Sequence, residues 1–216
     1  MSVRWSEGGG ARMHSRDDFP PHDAESVRAF IAVRMSARVE DEIAGAISEL
    51  ARASEGVKWV RRENLHVTLK FLGAAVNPRK LEPLAEALHD VAASTTEFDT
   101  LARGAGGFPN LDRPRVVWVG LHGVEPGTLA ALASRVEGAA ADCGFERERK
   151  RWTGHLTIGR VRDDRHVGGL RAAATAMRDR EFGISKIESL TLYRSHLGDQ
   201  VSRYEPLATF LLKHRD

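Results

Sequence analysis

Cysteine is almost missing from this chain: Cys143 stands alone among 216 residues. A lone thiol excludes an intramolecular disulfide and a cysteine-built zinc site, and fits a reducing, cytoplasmic setting. Long apolar runs are missing too. The longest, Ala29 to Val33 and Val116 to Gly120, are strand-sized and far too short to cross a bilayer, and no signal-type apolar stretch stands near the N-terminus. Net charge is only +2, which argues against wholesale attraction to polyanions and directs attention to where the charges lie. Also absent are Gly-x-Ser-x-Gly, the serine-hydrolase elbow, and the ordered glycine motifs that cradle phosphates. What remains is 42% hydrophobic and 29% charged residues, the balance of a protein that buries an ordinary core.

Residues 1–26 combine three successive glycines, a Pro-Pro pair and many charges without apolar periodicity, which predicts a disordered leader. The domain then occupies 27–216. Arg28 to Arg34 reads as a strand. Ser36 to Ala53 reads as a helix behind a serine cap, with Val39, Ile43, Ala46, Ile47 and Leu50 at helical spacing. Leu65 to Leu72 is strand-like, Asn77 to Ala93 helical, and Glu97 to Arg103 a strand. The glycine-rich run Gly104 to Pro114 reads as a long loop. The order then begins again: strand Arg115 to Gly120, helix Glu125 to Asp142, strand His155 to Arg162, a helix near Arg165 to Arg178, and strands from Gly183 onward. Lys186 to Lys213 carries a hairpin pattern around Gly198-Asp199. An internal repeat, about 28–103 and 115–195, predicts an α+β, bilobal duplicated fold, with two antiparallel sheets facing a central cleft and helices on the outer faces.

Each repeat holds the same tetrapeptide pattern in its third element, His66-Val-Thr-Leu69 and His155-Leu-Thr-Ile158. On a strand, His66 and Thr68 share one face while Val67 and Leu69 take the other, and the second copy repeats this. One such histidine is readily a half-buried strand residue. A matched pair suits acid-base chemistry on a phosphodiester, where one group deprotonates water and another protonates the departing oxygen. Histidine is apt because its ordinary pKa near 6.5 lets one ring be neutral while another is charged. Thr68 and Thr157 can donate hydrogen bonds to non-bridging phosphate oxygens. Neither motif contains a third nitrogen or thiolate, so no metal and no cofactor is expected, a recruited carboxylate being the open alternative. Arg147, Arg149, Lys150, Arg151, Arg160, Arg162 and Arg165 crowd around the second motif, where a phosphate-bearing partner would be drawn.

With these motifs the chain resembles the two-histidine phosphoesterase superfamily, and within it the RNA 2′,3′-cyclic phosphodiesterase or 2′-5′ RNA ligase family. Further matches are Arg28-Ala-Phe-Ile-Ala32, Lys70-Phe-Leu-Gly73, Arg113-Pro-Arg-Val-Val-Trp118 and Leu192-Tyr-Arg-Ser195. The resemblance implies a bilobal fold with a positively charged cleft. It implies hydrolysis of terminal 2′,3′-cyclic phosphates on RNA ends or nucleotides to 2′-phosphomonoesters, with His66 and His155 as the catalytic pair. It also implies that Arg160 binds phosphate, although strict alternation would turn Arg160 away from His155 unless the strand bulges, twists or ends there. The family commonly has proline before the second histidine; Gly154 stands there in this chain. Phe30 and Phe108 are candidates to stack on a base, with core packing as the alternative for both, as for Tyr193 and Trp118. A monomer is expected. The other functions open at this point are 2′-5′ ligation by the reverse reaction, hydrolysis of small cyclic nucleotides or ADP-ribose cyclic phosphate, and a non-catalytic RNA-binding module.

Overall fold

The computed structural model describes residues 19–21, 25–124, 128–163, 168–196 and 202–215. Most of the expected leader, Arg165 and the Gly198-Asp199 turn lie outside the described residues. Among the described residues, nine strands form two antiparallel sheets. The four-stranded sheet runs β3 (Val67–Val76), β1 (Val27–Val33), β8 (Ser189–His196), β9 (Arg203–Leu211). The five-stranded sheet runs β2 (Val57–Trp59), β6 (His155–Val161), β5 (Val116–Gly123), β4 (Phe98–Phe108), β7 (Glu181–Ile187). The helices are α1 (Ala37–Arg52), α2 (Leu81–Ala93), α3 (Thr128–Asp142) and α4 (Leu170–Ala176). Among the described residues no helix is long and apolar enough to cross a membrane.

The expected apolar face of α1, from Val39 through Leu50, is the face it buries. That face packs on β7, β2 and α4. So α1, which follows a strand of the four-stranded sheet, covers the five-stranded one. Helix α3 does the converse: it follows β5 yet packs on β3 and α2. Each of these two helices thus covers the sheet to which the strand before it does not belong, and the two sheets share one apolar core. Strands β3 and β6, one from each sheet, touch.

Two local expectations are corrected. Ser36 occupies the cap position of α1, but its side chain makes no capping bond; its backbone N–H donates to Ser185 Oγ of β7 at 2.7 Å. The run Gly104 to Pro114 is not one long loop, because β4 continues through it to Phe108. Gly104, at φ +75°, is the extra residue of a bulge between Arg103 and Ala105. Gly106 pairs with Trp118, and a Cβ there would lie 2.3 Å from the indole Cζ2. These glycines serve a bulge and a ring packed flat on the strand. Strand β2, three residues long, carries no periodicity that could have announced it.

One core interaction ties β3 to the helix that covers it. The Lys70 side chain is 1% exposed, and its Nζ donates to Glu137 Oε1 of α3 at 2.9 Å and to the Glu146 carbonyl at 2.6 Å. A buried ammonium stripped of its carboxylate is far costlier than the pair replaced by apolar volume. Glu137→Ala should therefore destabilise by ~3 kcal/mol, a fall in Tm of roughly 6–12 °C for a chain of this size. Lys70→Met should cost less than half as much. Thermal unfolding followed by circular dichroism checks both, and an unchanged Tm for Glu137→Ala would remove the argument.

Candidate active site

His66 stands immediately before β3 and His155 opens β6. Alternation holds through both motifs: Val67, Leu69, Leu156 and Ile158 are buried, while His66, Thr68, His155 and Thr157 are half-buried on the other face. It then breaks, in the same way twice. Ala32 pairs with Thr68 but Ile31 pairs with Lys70, so Leu69 is an extra residue. Trp118 pairs with Thr157 but Val117 pairs with Gly159, so Ile158 is an extra residue. A β-bulge at the fourth residue of each motif resets the alternation. The fifth residue after each histidine, Phe71 in β3 and Arg160 in β6, therefore returns to the histidine's face. That resolves the objection to Arg160. Its charge acts on His66.

Both imidazoles are held alike. His66 Nδ1 donates to the Asn64 carbonyl at 2.7 Å, and His155 Nδ1 to the Thr153 carbonyl at 2.8 Å. A carbonyl can only accept, so Nδ1 carries the proton and Nε2 is the nitrogen left for chemistry. Burial pushes the pKa of His66 down to about 4; the bond to Asn64 opposes this, and the charges of Arg34, Arg160 and His155 add to it.

Aromatic rings wall both histidines. The Phe30 ring centroid lies 4.9 Å from that of His66, with Tyr193 stacked on Phe30 at 5.2 Å and Tyr204 edge-on to His66 at 5.0 Å. Phe30 is only 5% exposed, so its ring shapes the wall behind His66 and leaves little face for a base. Phe71 is exposed on this face, under the Arg28 guanidinium at 4.4 Å. At the second motif, Phe108 is edge-on to His155 at 5.0 Å and tilted against Trp118.

A cavity of about 150 Å³ adjoins His66, lined by Phe30, Arg34, Asn64, Tyr193 and Tyr204 among others. Arg34 donates to Glu40 through Nε at 2.9 Å and Nη2 at 2.7 Å, and to the Glu63 carbonyl at 2.7 Å. It thereby clamps the 3₁₀ turn Arg62–Asn64, whose last carbonyl orients His66. Neither Arg34 nor Tyr204 stood out in the sequence: Arg34 directly follows β1 and Tyr204 lies on β9, and only the fold brings them to His66. Arg147, Arg149, Lys150 and Arg151 are exposed on the irregular segment entering β6, and Arg162 is exposed beyond it. Among the described residues no group of three or more His, Cys, Asp or Glu could hold a metal ion.

Comparison with known proteins gives the family and the fold. The sequence model of the 2′-5′ RNA ligase superfamily matches residues 39–199. The RNA 2′,3′-cyclic phosphodiesterase of Methanothermobacter thermautotrophicus is 33% identical over 186 residues, covering 86% of this chain and 99% of that protein. That of Archaeoglobus fulgidus is 40% identical over 136 residues, 63% of this chain and 73% of that one. Among solved structures, a Thermus thermophilus protein superposes with a TM-score of 0.73 at 25% identity, over 88% of this chain and all of that one. E. coli LigT, solved both free and with 3′-AMP, gives 0.69 and 0.68 at 25% identity, over 88% and 87% of this chain and 99% of LigT. The α+β fold of two antiparallel sheets and four helices is thus shared with LigT-like structures, and the chain belongs to the 2′-5′ RNA ligase superfamily, alongside the RNA 2′,3′-cyclic phosphodiesterases.

Proposed function

We propose that this chain hydrolyses 2′,3′-cyclic phosphates at RNA ends to 2′-phosphomonoesters, with His66 and His155 as its acid-base pair and no metal. The observation that carries the reading is the twofold repetition of one device: a histidine whose Nδ1 is held by the carbonyl two residues back, a threonine on the same face, then a bulge. With a phosphate between the motifs, one Nε2 accepts a proton from water as its oxygen attacks phosphorus. The other donates a proton to the ribose O3′ as the P–O3′ bond breaks. Thr68 and Thr157 donate to the non-bridging oxygens, and Arg160 balances the charge that grows on them. The exposed cations from Arg147 to Arg151 draw the RNA backbone toward the site. The relatives' activity and the 3′-AMP held by LigT support a nucleotide-phosphate substrate.

EDTA-treated protein incubated with a short RNA ending in a cyclic phosphate should yield the 2′-phosphate, identified by chromatography and phosphorus NMR. A ring that stays closed until zinc or manganese is added would defeat the metal-free reading. His66→Ala and His155→Ala should each lower turnover by ~10² or more while leaving the fold intact; wild-type turnover in either variant would remove that residue from the mechanism.

The depressed pKa of His66 has a signed consequence. An unfolded histidine titrates near 6.5 and the folded His66 near 4, so on acidification the unfolded chain takes up the proton first. This ring's stabilising share is complete above pH 6.5 and is lost as pH falls from 6.5 toward 4. NMR titration of the ring in the free protein should find a midpoint near 4, moving upward when a nucleoside 2′-phosphate is added. A free-protein midpoint near 6.5 would contradict the placement of His66 in a desolvated wall.

A further inference from the structure

Trp152 lies three residues before His155, on the irregular segment leading into β6, yet its indole reaches the other sheet. Its Nε1 donates to the Thr68 carbonyl at 3.0 Å. Thr68 belongs to the first motif, on β3, an edge strand whose outer side has no ladder partner among the described residues. One side chain therefore bonds the strand of motif one to the approach of motif two. The next residue, Thr153, supplies the carbonyl that holds His155 Nδ1. An ideal Cβ on Gly154 would meet the far ring of the indole, 3.2 Å from Cη2 and 3.3 Å from Cζ3, and Leu121 Cβ at 3.5 Å. The Leu121 contact is an ordinary one, but the two indole contacts are tighter than packed side chains normally make, so a larger residue at 154 has to push the indole by a few tenths of an ångström.

We infer that Trp152 is a positioning residue that fixes the separation and orientation of the two motifs, and that Gly154 is its required complement. The inference rests on the reading that both histidines act on one phosphate. Opposed proton transfers tolerate little misplacement, and an error of about 1 Å in such a site costs ~10² in rate. The segment 146–154 has no regular structure of its own and is bonded to β3 at its start by Lys70 and the Glu146 carbonyl. Deleting the indole bond therefore leaves the Thr153 carbonyl, at the segment's other end, less firmly set against the Thr68 strand. Gly154 is then no defect in the approach to His155. It is the gap that lets a tryptophan brace that approach.

The test is steady-state kinetics on a short RNA bearing a 2′,3′-cyclic phosphate, with Tm measured alongside. Trp152→Phe keeps an aromatic ring but deletes the N–H and the far ring atoms. It should lower kcat by roughly tenfold with KM within about twofold, the split expected when transition-state geometry rather than binding is lost. Gly154→Ala should lower kcat by ~3-fold or more in the unmodified chain, by pushing the indole, and have no effect in the Trp152→Phe background, where the clash is gone. Should Trp152→Phe fail to fold, Gly154→Ala alone decides. Wild-type kcat in either single variant, or equal losses from Gly154→Ala in both backgrounds, overturns the inference while leaving the phosphodiesterase reading standing. No turnover by the unmodified protein overturns both.

Discussion

A histidine whose Nδ1 proton is committed to a backbone carbonyl has only Nε2 left to use, and the ring can point only where that carbonyl lets it. His66 and His155 are both constrained in this way, each by the carbonyl two residues earlier in its own chain. The partner is local, so the orientation survives small movements of the surrounding sheet. It also fixes the tautomer, which decides that the free nitrogen of a neutral ring is an acceptor. Around this constraint the rest of the site becomes intelligible. Arg34 clamps the turn that presents the Asn64 carbonyl, and Trp152 and Gly154 brace the segment that presents the carbonyl of Thr153. Phe30, Tyr204 and Phe108 supply the walls.

Local orientation is useless unless the two rings face the same point, and that depends on the exchange of helices. Because α1 covers the five-stranded sheet and α3 the four-stranded one, neither sheet's core is complete without a helix that follows a strand of the other. The cost of separating them is the cost of exposing α1's apolar face and the Lys70–Glu137 pair. Two sheets joined only by a flexible linker would move relative to each other as domains usually do. Here the shared core and the β3–β6 contact hold the motifs in one body, so binding energy need not be spent to assemble the site.

Much of this was legible in the residues. Alternation through His66-Val-Thr-Leu69 and His155-Leu-Thr-Ile158 assigned the half-buried and buried faces correctly, because period-two patterning is enforced wherever one face of a strand is buried. The helix faces followed from 3.6-residue spacing. What escaped was set by register or by distant partners. The bulges at Leu69 and Ile158 are properties of pairing with β1 and β5, and nothing within either motif announces them; Arg160's return to the face of His155 follows from the second. Gly104 to Phe108 read as a loop because glycine normally weakens strands, whereas here the glycines admit a bulge and the ring of Trp118. Phe30 was a candidate base-stacking residue, and only the positions of Tyr193 and His66 reveal that its faces are occupied. Trp152's reach across to Thr68 spans 84 residues of sequence, beyond any local pattern.

The central claim is that both Nε2 atoms address one phosphate. The most direct measurement is a crystal structure of the protein with a nucleoside 2′-phosphate bound. The account predicts the phosphate between β3 and β6, with one oxygen within hydrogen-bond distance of each Nε2, the Thr68 and Thr157 hydroxyls on the remaining oxygens, and Arg160 alongside. A phosphate bound elsewhere, or contacting one histidine while the other ring points away, would contradict it.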